Sequence, residues 1–423
     1  MGYQLPLLKW VHEYRTPGTI RADLLAGLTG AIVVMPQGIA FALLAGMPPQ
    51  YGLYAAMLPC FIAAIFGSSR LMVTGPANAI SLTTIALIAP LAIPESQAYV
   101  SYVLTLSFLV GALQLLLGLC KIGKWVEKVP HSVIVGFTAG AAILIINSQL
   151  GTLLGINIPK GKNVFETIHM IGIAFIDNQW HISAPALVLL TLIAIRLWRP
   201  LNRFIPAMLV AVIIGSIAAL LLEHFIPSIE AFKRVKEMPG AFPPISKPDL
   251  SAETLQKLFS ATIIMTLLAS TEAMAIARAI AMKRKDYFNA NQEFIGQGLA
   301  NICGSFFSAY PASGSFNRTG VNLASGARTP LSAISASIFL LVLLVFVSPL
   351  AKHVPYIVIA SLLLVVAWNL IDLKQIRHEI YMGPKDWIPM LVTGIGTITI
   401  PLEWAILGGI LSSSLVSHIF KKN

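Results

Sequence analysis

Two charged residues stand out because each interrupts an apolar run. Glu272 lies in Leu267-Leu268-Ala269-Ser270-Thr271-Glu272-Ala273-Met274-Ala275, and Arg318 lies in Ser313-Gly314-Ser315-Phe316-Asn317-Arg318-Thr319-Gly320. An ionisable group in the middle of a spanning helix is expensive, and by default it marks an ion, proton or substrate path. A carboxyl there suits a proton-carrying role. The plain alternative is an ion pair with Arg278 or Arg318, but Arg278 is six residues on and off the i+3/i+4 face. Arg318 belongs to one of two broken segments. The first reads Arg70-Leu71-Met72-Val73-Thr74-Gly75-Pro76-Ala77-Asn78-Ala79-Ile80-Ser81. A β-like run (Leu71, Met72, Val73) is expected before Thr-Gly-Pro, then a helix. Thr74 or Gly75 can cap it, and Pro76 fits the first turn, where a missing N–H costs nothing. In the second segment, after Tyr310-Pro311-Ala312, Ser313 and Ser315 can cap another short helix. If the two helices face each other at one depth, two positive dipole ends with free N–H groups flank one cavity. That is an anion site, to which Arg318 adds a full charge. Each break alone reads as a kink packed for shape; a matched pair, one carrying an Arg, reads as a site. Gln37, after Pro36 in Met35-Pro36-Gln37-Gly38, needs a partner in lipid, either substrate or a neighbouring helix. Phe41, one turn later, either lines the same cavity or packs as an ordinary apolar side chain.

The other reactive residue types point away from enzymes and metals. Cys60, Cys120 and Cys303 lie in or beside apolar runs with no metal or disulfide spacing, so they read as packing residues. The eight histidines are dispersed, without paired ligand spacing. No G-x-x-x-x-G-K-[ST] loop occurs, so the chain alone is not expected to hydrolyse ATP, and no cofactor, metal or catalytic constellation is expected. Trp10, Trp125, Trp180, Trp198, Trp387 and Trp404 read as interfacial anchors.

The elements that must position these residues are membrane spans. The chain has 423 residues, 56% hydrophobic and only 11% charged, with a mean hydropathy of +0.79. A soluble chain of this size needs about 25% charge, so a soluble enzyme, a disordered regulator and a nucleic-acid binder are excluded. The net charge of +11 is scattered between apolar runs, as the positive-inside rule produces. Taking about 20 apolar residues per span, candidate spans lie near 22–46, 51–68, 75–92, 100–121, 130–154, 182–198, 204–223, 257–281, 292–309, 316–327, 330–349, 355–371, 387–401 and 403–420. With both termini cytoplasmic, the inner loops carry Arg70; Lys121, Lys124 and Lys128; Arg196, Arg199 and Arg203; Lys283, Arg284 and Lys285; Arg328; Lys374, Arg377 and Lys385; and the Lys421–Lys422 tail. The outer loops are nearly free of Lys and Arg apart from Lys352 and the long stretch 223–256 (Lys233, Arg234, Lys236, Lys247), which long loops tolerate. That stretch also holds Pro239, Pro243, Pro244 and Pro248 and reads as a linker. The expected organisation is a cytoplasmic segment 1–21, a first repeat 22–222, an outer linker 223–256 and a second repeat 257–420. Two similar halves of seven spans must be inverted relative to one another. Only Glu272 and Arg318 read as buried charges.

These motifs resemble the SulP family of anion transporters, relatives of the animal multifunctional anion exchangers. The resemblance runs through Met35 to Gly46, Pro49, Tyr51-Gly52-Leu53-Tyr54, Thr74-Gly75-Pro76 and the E-x-x-x-x-A-[KR]-A block from Glu272 to Ala279. It is most specific over Asn291 to Asn301, Gly304-Ser305-Phe306-Phe307, Pro311, Gly314 to Thr319, Asn322 and Gly326-Ala327-Arg328-Thr329. It implies an all-α polytopic membrane protein of about fourteen spans in a seven-plus-seven inverted repeat like that of uracil permeases, with two short strands before half-helices three and ten. It implies a core domain (22–121 plus 257–349) moving like an elevator against a gate domain (127–222 plus 355–420), a homodimer, and a plasma or inner membrane location. The implied anion-site residues are Gln37, Phe41, Pro76, Ala77, Ser315, Phe316, Asn317 and Arg318, with Glu272 coupling transport to H+, or to Na+. The expected activity is proton-coupled symport of a small anion, sulfate ranking ahead of bicarbonate and dicarboxylates. The rivals are a passive anion channel or exchanger of the same fold, a sodium-coupled bicarbonate transporter, and a nucleobase permease, against which Arg318 argues. Family members usually continue into a cytoplasmic STAS domain, whereas this chain stops at Asn423, so the resemblance covers the transmembrane part.

Overall fold

Helices form wherever the apolar runs are long, and the only strands among the described residues are two pieces of two residues each. The computed structural model describes residues 6–122, 130–158, 163–177, 182–201, 207–226, 231–235, 240, 242–284, 286, 288–347, 352–400 and 402–419. Lys124, Trp125, Lys128, Trp180, Arg203, Lys236, Pro239, Lys285, Lys421 and Lys422 lie outside the described residues.

A 3₁₀ helix, Pro6–Arg15, comes first. The α-helices follow in chain order as α1 (Thr19–Leu44), α2 (Pro49–Phe66), α3 (Asn78–Ile88), α4 (Gln97–Leu119), α5 (His131–Leu154), α6 (Val164–Ile176), α7 (Ser183–Leu201) and α8 (Ala207–Phe225). The second half contributes α9 (Ala252–Arg284), α10 (Ala290–Ser305), α11 (Phe316–Ala324), α12 (Leu331–Val347), α13 (Tyr356–Leu370), α14 (Leu373–Met382), α15 (Pro384–Thr399) and α16 (Leu402–Ile419). Strand β1 is Thr74–Gly75 and β2 is Ser313–Gly314. Each of the fourteen expected spans coincides with a helix. Besides the 3₁₀ helix Pro6–Arg15, two α-helices fall where no element was expected. α6 starts where the Asn163 side chain accepts from the Glu166 amide at 2.8 Å, and it exposes Phe165, Ile168 and Ile176. α14 starts where Asp372 accepts from the amides of Lys374 and Gln375.

The chain divides into two compact units. Unit 1 is Met1–Lys128 with Lys236–Lys352, and unit 2 is Val129–Val235 with His353–Asn423. In unit 1, α1 packs on α2, α3, α11 and α12, while α10 lies between α2 and α4. Backbones there nearly touch: a Cβ on Gly111 would come within 2.6 Å of the Ile302 nitrogen. Small residues permit such approaches where lipid supplies no hydrophobic drive between helices. In unit 2, α5 packs on α13 and α15, and α7 packs on α8 and α13. Residues of the expected linker are pinned inside one unit or the other. In unit 2, Glu223 accepts from the Phe232 amide and pairs with Arg234, which bridges to Pro355. In unit 1, Ser246 Oγ donates to the Ser305 carbonyl at 2.7 Å and accepts from the Ser308 amide.

Glu272 and Arg318 are not the only charged residues withdrawn from solvent. Asp23 and Glu293 in unit 1 and Glu379 in unit 2 are buried as well. Each has partners: Asp23 accepts from Arg328, Thr329 and the Thr329 hydroxyl, and Glu379 faces His131 Nδ1 at 2.8 Å. Arg70 lies in the loop after α2, where it pairs with Glu13 and Asp286 and lies over the Trp10 ring. Cys120 is exposed rather than packed.

Candidate functional site

The two broken segments meet, and all the geometry lies within unit 1. β1 and β2 pair antiparallel, with Thr74 opposite Gly314 and Gly75 opposite Ser313. The Ser315 amide donates to the Val73 carbonyl at 3.0 Å and lengthens the contact. The expected strand at Leu71–Val73 falls instead at Thr74–Gly75. Its predecessors are extended but are taken up by α11 side chains: the Val73 amide donates to Thr319 Oγ1, and Asn322 Nδ2 donates to the Leu71 carbonyl.

Each strand runs into a helix: α3 follows β1, and α11 follows β2. Because the ladder is antiparallel, the helices leave from its opposite ends. In this register Ser315, the N-cap of α11, stands opposite Val73, four positions from Ala77, the N-cap of α3, so the two positive N-termini lie roughly 14 Å apart along the strands. The caps differ from expectation. Ala77, not Thr74 or Gly75, is the N-cap of α3 and gives no side-chain hydrogen bond, so Pro76 precedes the helix. Ser315 caps α11, its hydroxyl accepting from the Arg318 amide at 3.4 Å. Ser313 does not cap; its hydroxyl donates to the Ala269 carbonyl of α9 at 2.6 Å.

Arg318 is 4% exposed. Its Nη1 donates to the Thr74 carbonyl at 2.6 Å, and its Nη2 donates to the Ala56 carbonyl at 3.3 Å and to Cys60 Sγ at 3.8 Å. Cys60 is thus a partner of the cation as well as a packing residue. A Cβ on Gly75 would fall 2.0 Å from Nη1, so only glycine lets the guanidinium lie against the ladder. No ion pair among the described residues uses Arg318. The charge stands beside the ladder uncompensated, where low dielectric lengthens its reach.

Glu272 is partly buried on α9, which packs on β2 and α3. A Cβ on Gly314 would lie 3.2 Å from Ala273 Cα, so the residue next to Glu272 touches β2. Glu272 Oε2 is buried without a hydrogen-bond partner, and Glu272 forms no ion pair among the described residues. Of the remaining expected residues, Gln37, Phe41, Pro76, Ala77 and Ser315 are buried, Asn317 is half-buried and Phe316 is exposed. Gln37 and Phe41 lie on α1, which packs on both α3 and α11. All nine residues therefore fall on the two strand-to-helix segments, Thr74–Ile88 and Ser313–Ala324, or on helices touching them. Residue-by-residue reasoning missed Asn78, whose Oδ1 is buried without a partner at the first position of α3. It also missed the row Glu293, Gln297 and Asn301, whose i, i+4, i+8 spacing of polar residues was the available signal.

Comparison with known proteins gives the same fold and a family. Residues 20–393 match the profile described as "Sulfate permease family". The "Sulfate transporter 4.1, chloroplastic" of Arabidopsis thaliana is 32% identical over 98% of this chain and 60% of its own length. The chain thus spans about three fifths of the length of that plant relative. The solved transmembrane domain of the cyanobacterial bicarbonate transporter BicA aligns with a TM-score of 0.81 and 26% identity, over 94% of this chain and 98% of that one. The murine Solute Carrier 26 family member A9 anion transporter, in its inward-facing state, aligns with a TM-score of 0.88 and 24% identity, over 99% of this chain and 71% of that one.

Proposed function

The chain belongs to the sulfate permease family and is an all-helical, multi-pass integral membrane protein, and we propose that it is a secondary active transporter of small anions, with sulfate the first candidate. One observation carries the reading: α3 and α11 each follow one strand of the antiparallel β1–β2 ladder, beside Arg318, which forms no ion pair among the described residues. Backbone N–H groups and two dipole ends stabilise a negative ligand by up to about 2 kcal/mol each in partly buried geometry. The guanidinium acts as a fixed charge behind the ladder, because two of its donors are already taken by carbonyls. Gln37, Phe41, Pro76, Ala77, Ser315, Phe316 and Asn317 shape the cavity. The relatives' names support the anion: one is called a sulfate transporter, one a bicarbonate transporter and one an anion transporter.

Glu272 is the coupling residue. Its partnerless Oε2 favours carrying a proton when the loaded core crosses. In the proposed cycle, the core domain (22–121 with 257–349) moves like an elevator against the gate domain (127–222 with 355–420). The protein works as a homodimer in the plasma or inner membrane, with both termini cytoplasmic.

Bicarbonate is the second reading, favoured by the 26% identity to the bicarbonate transporter domain. Competition binding by purified protein, with sulfate, bicarbonate, chloride, fumarate and uracil, tests the site. Displacement of labelled sulfate by anions and not by uracil is expected; displacement by uracil alone overturns the anion reading. Repeating uptake with sodium in place of a proton gradient separates Na+ from H+ coupling.

A further inference from the structure

The anion site as described leaves one polar surface unused, the row Glu293, Gln297 and Asn301 on α10. These residues recur every fourth position, so they stack along one side of the helix, and none is more than 1% exposed. All of their hydrogen bonds to the broken segments lie beside or within the ladder. Glu293 Oε2 accepts from the amides of Ser68 at 2.8 Å and Ser69 at 2.7 Å, in the chain leading to β1. Gln297 Nε2 donates to Thr74 Oγ1 in β1 at 2.8 Å and to Glu293 Oε1 at 3.0 Å. Asn301 clamps the residue before β2 at two points: its Nδ2 donates to the Ala312 carbonyl at 3.0 Å, and its Oδ1 accepts from the Ala312 amide at 2.8 Å. The helix that carries the row is wedged between α2 and α4. A Cβ on Gly298 would come 2.6 Å from the Leu115 nitrogen of α4, and one on Gly296 would come 2.5 Å from Gly67 Cα at the end of α2.

A ladder of two residues holds its own register weakly, since so few bonds oppose a slip. A one-residue slip would move a helix N-terminus by about 3.4 Å, more than the difference in radius between a halide and sulfate. The register must therefore be set from outside the ladder, and the α10 row grips both strands' approaches at once.

We propose that Glu293, Gln297 and Asn301 are positioning residues, a rail that sets the register of β1 against β2. The rail thereby fixes the separation of the α3 and α11 N-termini, and with it the size of anion accepted. The specificity half of this inference rests on the anion-site reading above; the register half does not.

The test uses hydrogen–deuterium exchange and anion titration on the purified full chain. Gln297→Met keeps side-chain length and removes both donated bonds. Thr74→Val removes the Gln297 bond from the strand side and serves if Gln297→Met does not fold. Ser107→Ala is the control: Ser107 Oγ donates to the Asn301 carbonyl at 3.4 Å, so it touches α10 but neither strand. Exchange at 72–76 and 312–316 is expected to rise about tenfold in the first two variants, the effect of losing one hydrogen bond. It should stay unchanged in Ser107→Ala and within α4. The ratio of sulfate to chloride affinity is expected to shift about tenfold in the same two variants. A merely structural role would lower folded yield and leave that ratio alone. Unchanged exchange at both segments in a folded variant overturns the rail, whatever the wild type binds. Faster exchange with an unchanged ratio overturns the specificity half. Wild-type protein that binds neither anion overturns the anion reading, while exchange still decides the rail.

Discussion

Arg318 carries its charge with carbonyls and a thiol for company and no carboxylate within an ion pair among the described residues. Charge-assisted contacts of this kind are worth about twice a neutral hydrogen bond. Arg318→Gln should therefore weaken sulfate binding by at least about tenfold. Arg318→Lys should fall between the two, since an ammonium keeps the charge but cannot fork to both Thr74 and Ala56. Titration of purified variants with sulfate measures this; equal affinity for Arg318→Gln would remove the guanidinium from the site. Arg318 and Glu272 were legible in the sequence because each breaks an apolar run. Where the Arg318 guanidinium goes was not, because its target, the Thr74 carbonyl, is 244 positions away in the chain. Asp23, Glu293 and Glu379 escaped notice for another reason. They sit near the ends of apolar runs beside other polar residues, where a solvated loop end and a satisfied buried carboxylate look alike.

At the scale of elements, α9 needs a firm start, because it carries Glu272 beside β2. Its N-terminus is tied by Asp249, whose carboxylate accepts from the Thr254 hydroxyl at 2.6 Å and from the Ser251 amide at 3.0 Å. The Thr254 hydroxyl first, and then the Ser251 amide, hold this carboxyl below the usual carboxylate range. The stabilisation is thus complete above the ordinary value of about 4 and is lost as pH falls further through the depressed value. Amide protection over 251–256, taken relative to the intrinsic exchange rate at each pH, should fall only on acidification below about pH 4, and Asp249→Ala should show the low protection at every pH. Protection independent of pH in the wild type would contradict the cap. The long helices were legible because spans of about 20 apolar residues leave few alternatives. α6 was not, since its 13 residues fall short of a span, and α14 was not, since its pattern is largely polar. The ladder was only half legible. Thr-Gly-Pro announced a break, but two-residue strands leave no periodicity to read, and the pairing of Thr74 with Gly314 is a tertiary fact.

At the scale of the whole molecule, charge balance decides what the proposed cycle can do. One protonated Glu272 per sulfate leaves one net negative charge crossing the membrane. Against an inside-negative potential that costs about 2.3 kcal/mol per 100 mV, whereas one pH unit supplies about 1.4 kcal/mol. Sulfate uptake should therefore slow when a potassium diffusion potential is set inside-negative, while uptake of a monovalent anion with one proton should not respond. Sulfate uptake indifferent to potential would mean that a second charge is compensated elsewhere. The most direct test of the central claim is uptake of labelled sulfate into proteoliposomes under an inward proton gradient, comparing wild type with Glu272→Gln. The account predicts accumulation above equilibrium in the wild type and only downhill exchange in Glu272→Gln. Gradient-driven accumulation that survives in Glu272→Gln would contradict it.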